Sequence, residues 1–175
     1  MSLAQVQFGV AITMALLLSW AALVTVTALA LPQNAKRAEN ALANSPKKSL
    51  VVGIIGTALT VLGLVLFANP VGIIKLAGFV LSLFMGVVLI VGGAGIAQIL
   101  GTRIGEMSGA KTSFGALVRG SLVHSFSMLF PILGWFLMLP LSIIFAMGAG
   151  YLAIVPQKRT AERPIVPPLP HEGAF

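Results

Sequence analysis

The feature that most constrains the fold is a series of long apolar runs without charge. Between Arg119 and Lys158 the chain has no Lys, Arg, Asp or Glu, and Val6 to Leu31 is equally uncharged. A helix needs about 20 predominantly apolar residues to cross a bilayer. In lipid, backbone polar groups must be satisfied within the protein, which leaves helices or closed barrels. Barrel strands alternate in polarity, whereas these runs are apolar on every face. They predict an all-α integral membrane helical bundle.

The composition supports this fold class. Only 9% of the 175 residues are charged and the mean hydropathy is +1.03, whereas a soluble domain has about 25% charged residues. The chain has no Cys, which excludes disulfides, thiolate nucleophiles and Cys-ligated metals. The net charge is +7. An excess of basic residues is typical of a membrane protein, where these residues mark the cytoplasmic side. We therefore do not expect a nucleic-acid partner.

Two Pro–Gly elements divide the longest runs. One contains Pro70 and Gly72, and the other contains Pro131 and Gly134. A straight helix over residues 49–100 would be about 78 Å long, far more than the ~30 Å hydrocarbon core. Each element is therefore predicted to be the tip of a helical hairpin, with Gly72 available for a positive φ. A break at Pro140 is the rival to Pro131; otherwise Pro140 should kink the last helix.

This division predicts five spans, two basic loops and a tail. The spans are residues 6–31, 49–68, 73–100, 113–130 and 132–155; the loops are 32–48 and 101–112. The transmembrane domain is then 1–155, and residues 156–175 form a Pro-rich cytoplasmic tail. The alanine-rich middle of the first loop is predicted to form a short helix on the membrane surface.

The charges predict the orientation. Of the 11 Lys and Arg residues, only Lys75 falls outside the two loops, the start of the fourth span and the tail. The positive-inside rule then places the N-terminus outside and the C-terminus in the cytoplasm. Ala28 to Ala30 is similar to a signal-peptidase site, but no basic residue precedes the first run, so cleavage of residues 1–30 stays open and is not favoured.

Small residues recur at every fourth position in three segments, and such stripes let membrane helices approach closely. The longest stripe is Gly93, Ala97, Gly101, Gly105 and Gly109; the shorter ones are Ala11, Ala15 and Ser19, and Ser142, Ala146 and Gly150. They have two interpretations. The stripes could pack the bundle internally, or they could dock the chain onto another membrane protein.

His124 is the one ionisable residue well inside a predicted span, and intramembrane polar residues usually face protein or a cavity. Three interpretations are open: a neutral His bonded to a neighbouring helix, a ligand of a haem or chlorophyll-type pigment, or a residue that relays protons. The sequence requires no cofactor. No predicted span contains an acidic residue, so general acid–base chemistry has little support, and we do not expect an enzyme.

The tail is rich in proline and predicted to be extended. Residues 164–170 could bind a cytoplasmic partner, or the tail could simply be solvated.

The order of helices and Pro–Gly elements resembles the membrane region attached to some bactofilin-type bacterial proteins, over Ser49 to Val155. The matching residues are Pro70, Val71, Gly72 and the segment Pro131 to Trp135. The resemblance implies a bacterial inner-membrane scaffold without catalytic residues. The chain lacks a β-helical polymerising domain, so filament formation does not carry over.

These observations favour a non-catalytic accessory or scaffold subunit that packs against a larger membrane protein complex, with lipid and other integral membrane proteins as partners. Two alternatives are a pigment- or haem-associated subunit of a photosynthetic or electron-transfer complex that uses His124, and a small channel or transporter.

Overall fold

A computed structural model describes residues 3–108, 113–130 and 132–155. Within these ranges the chain is helical apart from turns and has no strand. The helices are α1 (Leu3–Ala30), α2 (Pro32–Asn44), α3 (Pro46–Phe67), α4 (Gly72–Ser108), α5 (Ser113–Ser127), a π-helical turn (Gly134–Met138) and α6 (Leu139–Ile154). The predicted all-α bundle is confirmed.

Four helical segments in the described residues are long and apolar enough to cross a membrane: Leu3–Ala30, Pro46–Phe67, Gly72–Met107 and Gly134–Ile154. The chain is therefore a multi-pass membrane protein. The predicted span 113–130 corresponds to α5, which has 15 residues. At ~1.5 Å per residue α5 is about 22 Å long, shorter than the ~30 Å hydrocarbon core.

Helices α3 and α4 form the hairpin predicted around Pro70. A methyl group on Gly63 would lie 2.9 Å from the Ser82 Oγ, and one on Gly78 would overlap the backbone at Phe67. The tip is closed by Asn69, whose Oδ1 accepts a hydrogen bond from the Val71 N–H at 3.0 Å. The Asn side chain thus makes the turn that the sequence assigned to the conformation of glycine.

Gly72 differs from the prediction. It has no positive φ, it is the first residue of α4, and a methyl group there would contact nothing within 4 Å. Pro70 and Asn69 suffice to end α3, because a residue before proline disfavours helical geometry.

The chain also turns after α5, but the two arms of the second predicted hairpin pack on different neighbours. Among the described residues α5 packs mainly against α4 and α1, whereas α6 packs against α3, α4 and α2. Pro131 lies outside the described residues. Gly134 is buried, and a methyl group there would lie 2.7 Å from the Met128 carbonyl oxygen, so this turn requires a residue without a Cβ.

Pro140 does not break the last helix, so the rival position for the turn is wrong. The chain stays helical from residue 133 to 154. Immediately before Pro140 the Leu139 N–H donates to the Gly134 carbonyl, five residues back. Pro140 has no N–H to offer the Phe136 carbonyl, and the wider π turn accommodates the disturbed register.

Both predicted basic loops are largely helical. Residues 32–44 form α2, whose Ala35 and Ala38 are buried against other helices. Residues 101–108 continue α4, because Gly101 packs against α5 there. The short helix predicted within the first loop is present as α2, whereas the helical continuation of α4 past residue 100 was not predicted. In both segments polar and charged residues occupy the outer faces of helices whose inner faces are small.

Candidate functional site

Within the part of the chain that the structure describes, helix backbones approach each other most closely where α6 meets α3 and α4. We call this contact the glycine junction (Gly53, Gly92, Gly148 and Gly150). A methyl group on Gly53 would overlap the Ile144 carbonyl oxygen, and one on Gly92 would overlap that of Ala146. Such contact between backbones is how membrane helices associate without a hydrophobic driving force.

The other two glycines make the reciprocal contacts. A methyl group on Gly148 would overlap the Ser49 carbonyl of α3, and one on Gly150 the Val88 carbonyl of α4. Of the stripe predicted on α6, Ala146 and Gly150 are fully part of this junction, whereas Ser142 is half-buried. The α6 stripe is therefore an internal packing surface.

The long stripe on α4 faces two further helices of the same chain. Gly93 lies against α1, where a methyl group would be 3.3 Å from the Val24 Cγ2. Ala97 is fully buried, and Gly101 lies against α5, where a methyl group would be 2.5 Å from the Ala116 carbonyl oxygen. Gly105 is half-buried, and Gly109 lies outside the described residues. The stripe on α4 holds α1 and α5 rather than offering a free face.

The stripe on α1 differs from the other two. Ala11, Ala15 and Ser19 are all exposed. Between Leu3 and Ser19 only Met14 and Leu17 are partly covered. The buried residues of α1, by contrast, are Ala21, Val24 and Ala28, near its C-terminal end.

His124 lies on the inner face of α5, and only 4% of it is exposed. Its neighbours on the helix, Ser121 and Ser125, are 1% exposed. The Ser121 hydroxyl donates to the Leu117 carbonyl at 3.0 Å and lies 2.9 Å from the Thr25 hydroxyl of α1. The region is thus a polar seam between α1 and α5, and this chain's own helices cover His124.

Not every buried polar atom of the seam has a hydrogen-bond partner within the described residues. Ser125 Oγ and the Trp20 Nε1–H are buried without a hydrogen-bond partner there. Leaving a buried donor unpaired is costly, and each of these two atoms has less than 1 Å² of accessible surface. We therefore treat the seam as a packing feature and assign it no ligand.

A pigment ring needs open surface over its ligating nitrogen, and His124 offers almost none. We expect His124→Ala to leave the visible absorption spectrum of the natively extracted protein unchanged. The substitution should lower stability by about 0.5–3 kcal/mol, the usual range for a buried side chain, as measured by thermal unfolding in detergent. Loss of an absorption band in the variant would instead establish His124 as a tetrapyrrole ligand.

The described residues contain no group of three or more His, Cys, Asp or Glu that could hold a metal ion. The same residues contain one ion pair, between Lys36 Nζ and Glu39 Oε2 at 2.9 Å. The Pro-rich tail, for which partner binding and simple solvation were both open, lies outside the described residues.

No protein-family model matches the chain, and neither the curated proteins nor the solved structures contain a match.

Sequence reasoning missed three glycines of the junction, namely Gly53, Gly92 and Gly148. The predicted stripes were defined by small residues at every fourth position. Gly148 and Gly150 are only two positions apart, and Gly53 and Gly92 lie in separate helices. A search for glycines spread through apolar helices, rather than for regular spacing, would have selected them.

Proposed function

We propose that this protein is a non-catalytic integral membrane subunit that packs against a larger membrane protein complex through α1. The observation that carries the proposal is the placement of α1. Its residues up to Ser19 stand almost free of the bundle, although the helix is long enough to span the membrane.

The contrast with α6 supports this function. Every residue from Ala146 to Gly150 is buried, whereas the buried residues of α1 are confined to its C-terminal part. Helices in lipid gain stability from close packing rather than from leaving water. A span that packs along about one third of its length gains little from its own bundle, and a second protein can supply the missing contacts.

The chemistry of the free part of α1 suits another helix. Ala11, Ala15 and Ser19 leave a shallow strip between larger apolar side chains, and a methyl group on Gly9 would meet nothing within 4 Å. A neighbouring backbone can approach such a strip closely, as it does at the buried stripes on α4 and α6. The expected partner is therefore a transmembrane helix of another protein.

The test is Ala15→Leu in the full chain, with Thr13→Leu as its control. Both residues are exposed on α1, and they lie on nearly opposite sides of the helix. We expect Ala15→Leu to reduce co-extraction of partner proteins about tenfold or more, because the larger side chain blocks close approach. Thr13→Leu should co-extract them as the wild type does. Equal recovery with both variants would contradict docking through this face.

We further infer that the protein lies in a bacterial inner membrane, with its N-terminus outside and its C-terminus in the cytoplasm. This orientation makes α5 a short fifth crossing between α4 and α6. The support is the distribution of exposed basic residues. Six lie on α2, at the start of α3, at the end of α4 and on α5; Lys75 alone lies near the first hairpin tip. The six residues are Lys36, Arg37, Lys47, Lys48, Arg103 and Arg119.

The absence of Cys from the chain makes this orientation easy to test. We expect Val71→Cys, at the first hairpin tip, to react with a membrane-impermeant maleimide in intact cells. Asn44→Cys, at the end of α2, should react only after permeabilisation. Both positions are exposed, so the reverse pattern would mean that the orientation is inverted.

A further inference from the structure

Helix α2 is fixed at the level where the spanning helices end. Leu31 alone separates it from α1, and Ser45 alone separates it from α3. Its Ala38 is fully buried and lies 2.6 Å from where a methyl group on Gly95 of α4 would be. Because both ends and one face are held, α2 cannot move far from the membrane surface, and its outer face is presented there.

That outer face and the following turn are basic. Lys36, Arg37, Lys47 and Lys48 are all exposed. Glu39 pairs with Lys36 at 2.9 Å, which leaves Arg37, Lys47 and Lys48 without an acidic partner in the described part of the chain. We call these three residues the basic surface.

The position of the two lysines adds to the local excess of positive charge. They lie in the first turn of α3, which has no acidic residue and no side-chain cap. The N-terminal end of a helix carries a partial positive charge, so lysines there are unfavourable unless an anion is near. The charge excess, rather than the helix end, identifies the partner as anionic.

We propose that the basic surface binds the headgroups of anionic phospholipids. Lipid is the occupant because the surface lies where α1 and α3 meet the headgroup region, and its charge is complementary to phosphate there. A basic residue close to an anionic membrane surface contributes about 1 kcal/mol, or roughly fivefold in affinity. Three such residues give a preference on the order of 100-fold over a zwitterionic lipid with the same acyl chains.

The experiment is a titration of the purified full chain in detergent, with bound lipid counted by native mass spectrometry. The probes are dioleoyl phosphatidylglycerol and dioleoyl phosphatidylcholine. The test variant carries Arg37→Gln, Lys47→Gln and Lys48→Gln. A control variant, with Lys158→Gln, Arg159→Gln and Arg163→Gln, loses the same charge from the tail. Thermal unfolding with phosphatidylcholine verifies that each variant is folded.

We expect the wild type and the tail variant to share a strong preference for phosphatidylglycerol that weakens as salt rises. The test variant should lose most of it and retain a preference of a few fold. Two outcomes would overturn the proposal. One is an unchanged preference in the test variant, which would leave the surface to an acidic protein segment. The other is an equal loss in the tail variant, which would show that total charge rather than this surface selects the lipid.

Discussion

Gly92→Ala should destabilise the protein by about 3 kcal/mol or more, one of the largest effects of any single methyl group in this chain. The added Cβ would overlap the Ala146 carbonyl of α6. Overpacking commonly costs about 1–3 kcal/mol when side chains can yield. Here the obstacle is backbone, so α6 itself must move. For a chain of this size we expect the apparent thermal midpoint in detergent to fall by roughly 6–12 °C.

Gly86→Ala is the matched control for this substitution. Gly86 lies in the same helix, and a methyl group there would meet nothing within 4 Å. Both substitutions replace Gly by Ala in a helix interior, which by itself favours the helix by up to about 1 kcal/mol. Gly86→Ala should therefore leave the thermal midpoint unchanged or slightly higher. If the two variants unfolded at the same temperature, the glycine junction would not hold α6 against α4.

Ala38→Leu should release α2 from the bundle. Ala38 packs in a cluster with Val91 of α4 and with Ala149 and Ala153 of α6. A leucine side chain has no space there, and the expected cost is about 1–3 kcal/mol. The buried residues of α2 are the two small side chains of Ala35 and Ala38, so a cost of this size is large relative to the packing that holds the helix. Hydrogen exchange of the α2 amides should accelerate markedly, while exchange in α4 changes little.

Ala43→Leu provides the comparison on the same helix, since Ala43 is exposed. This variant should keep the slow exchange of the wild type. Equal exchange rates in α2 for the two variants would mean that the buried alanine face does not position α2, and the basic surface would then lack its fixed place at the membrane.

The spanning helices and the first hairpin were predictable from the sequence, because both follow from length. A run from residue 49 to 100 cannot be one helix in a ~30 Å core, and the chain must turn where Asn69 and Pro70 disfavour helix. The same arithmetic required a second turn between residues 113 and 155, and the glycine that follows Pro131 favoured that position over Pro140. The arithmetic could not show that α5 would end at Ser127, because the apolar residues that follow it read as a continuation of the same span.

The packing partners of each helix were not predictable. Helices α1, α3, α4 and α6 are apolar on all sides, so no polar face indicates which side meets lipid. The small residues determine instead which side of each helix packs against another helix. The three stripes are alike in sequence, yet those on α4 and α6 are covered and the one on α1 is exposed. Only the arrangement of the whole bundle distinguishes them.

The candidate site was likewise predictable from the sequence only in part. His124 was expected to face protein or a cavity, and it is buried. Its burial depends on how α5 packs on its neighbours, through contacts such as Thr25 with Ser121 that no local pattern contains. The alanines of α2 were visible in the sequence as good helix formers. Their burial beneath α4 and α6 was not, because the neighbouring Lys36 and Arg37 favoured a helix that lies on the membrane surface.

The proposed role depends on whether α1 has a partner in the native membrane. The most direct measurement is the mass and protein content of the particle that contains this chain after extraction from native membranes with its surrounding lipid. We expect a particle well above the chain's 18.2 kDa, with at least one other integral membrane protein present in fixed proportion. A particle that contains one copy of this chain and lipid alone would contradict the proposed function.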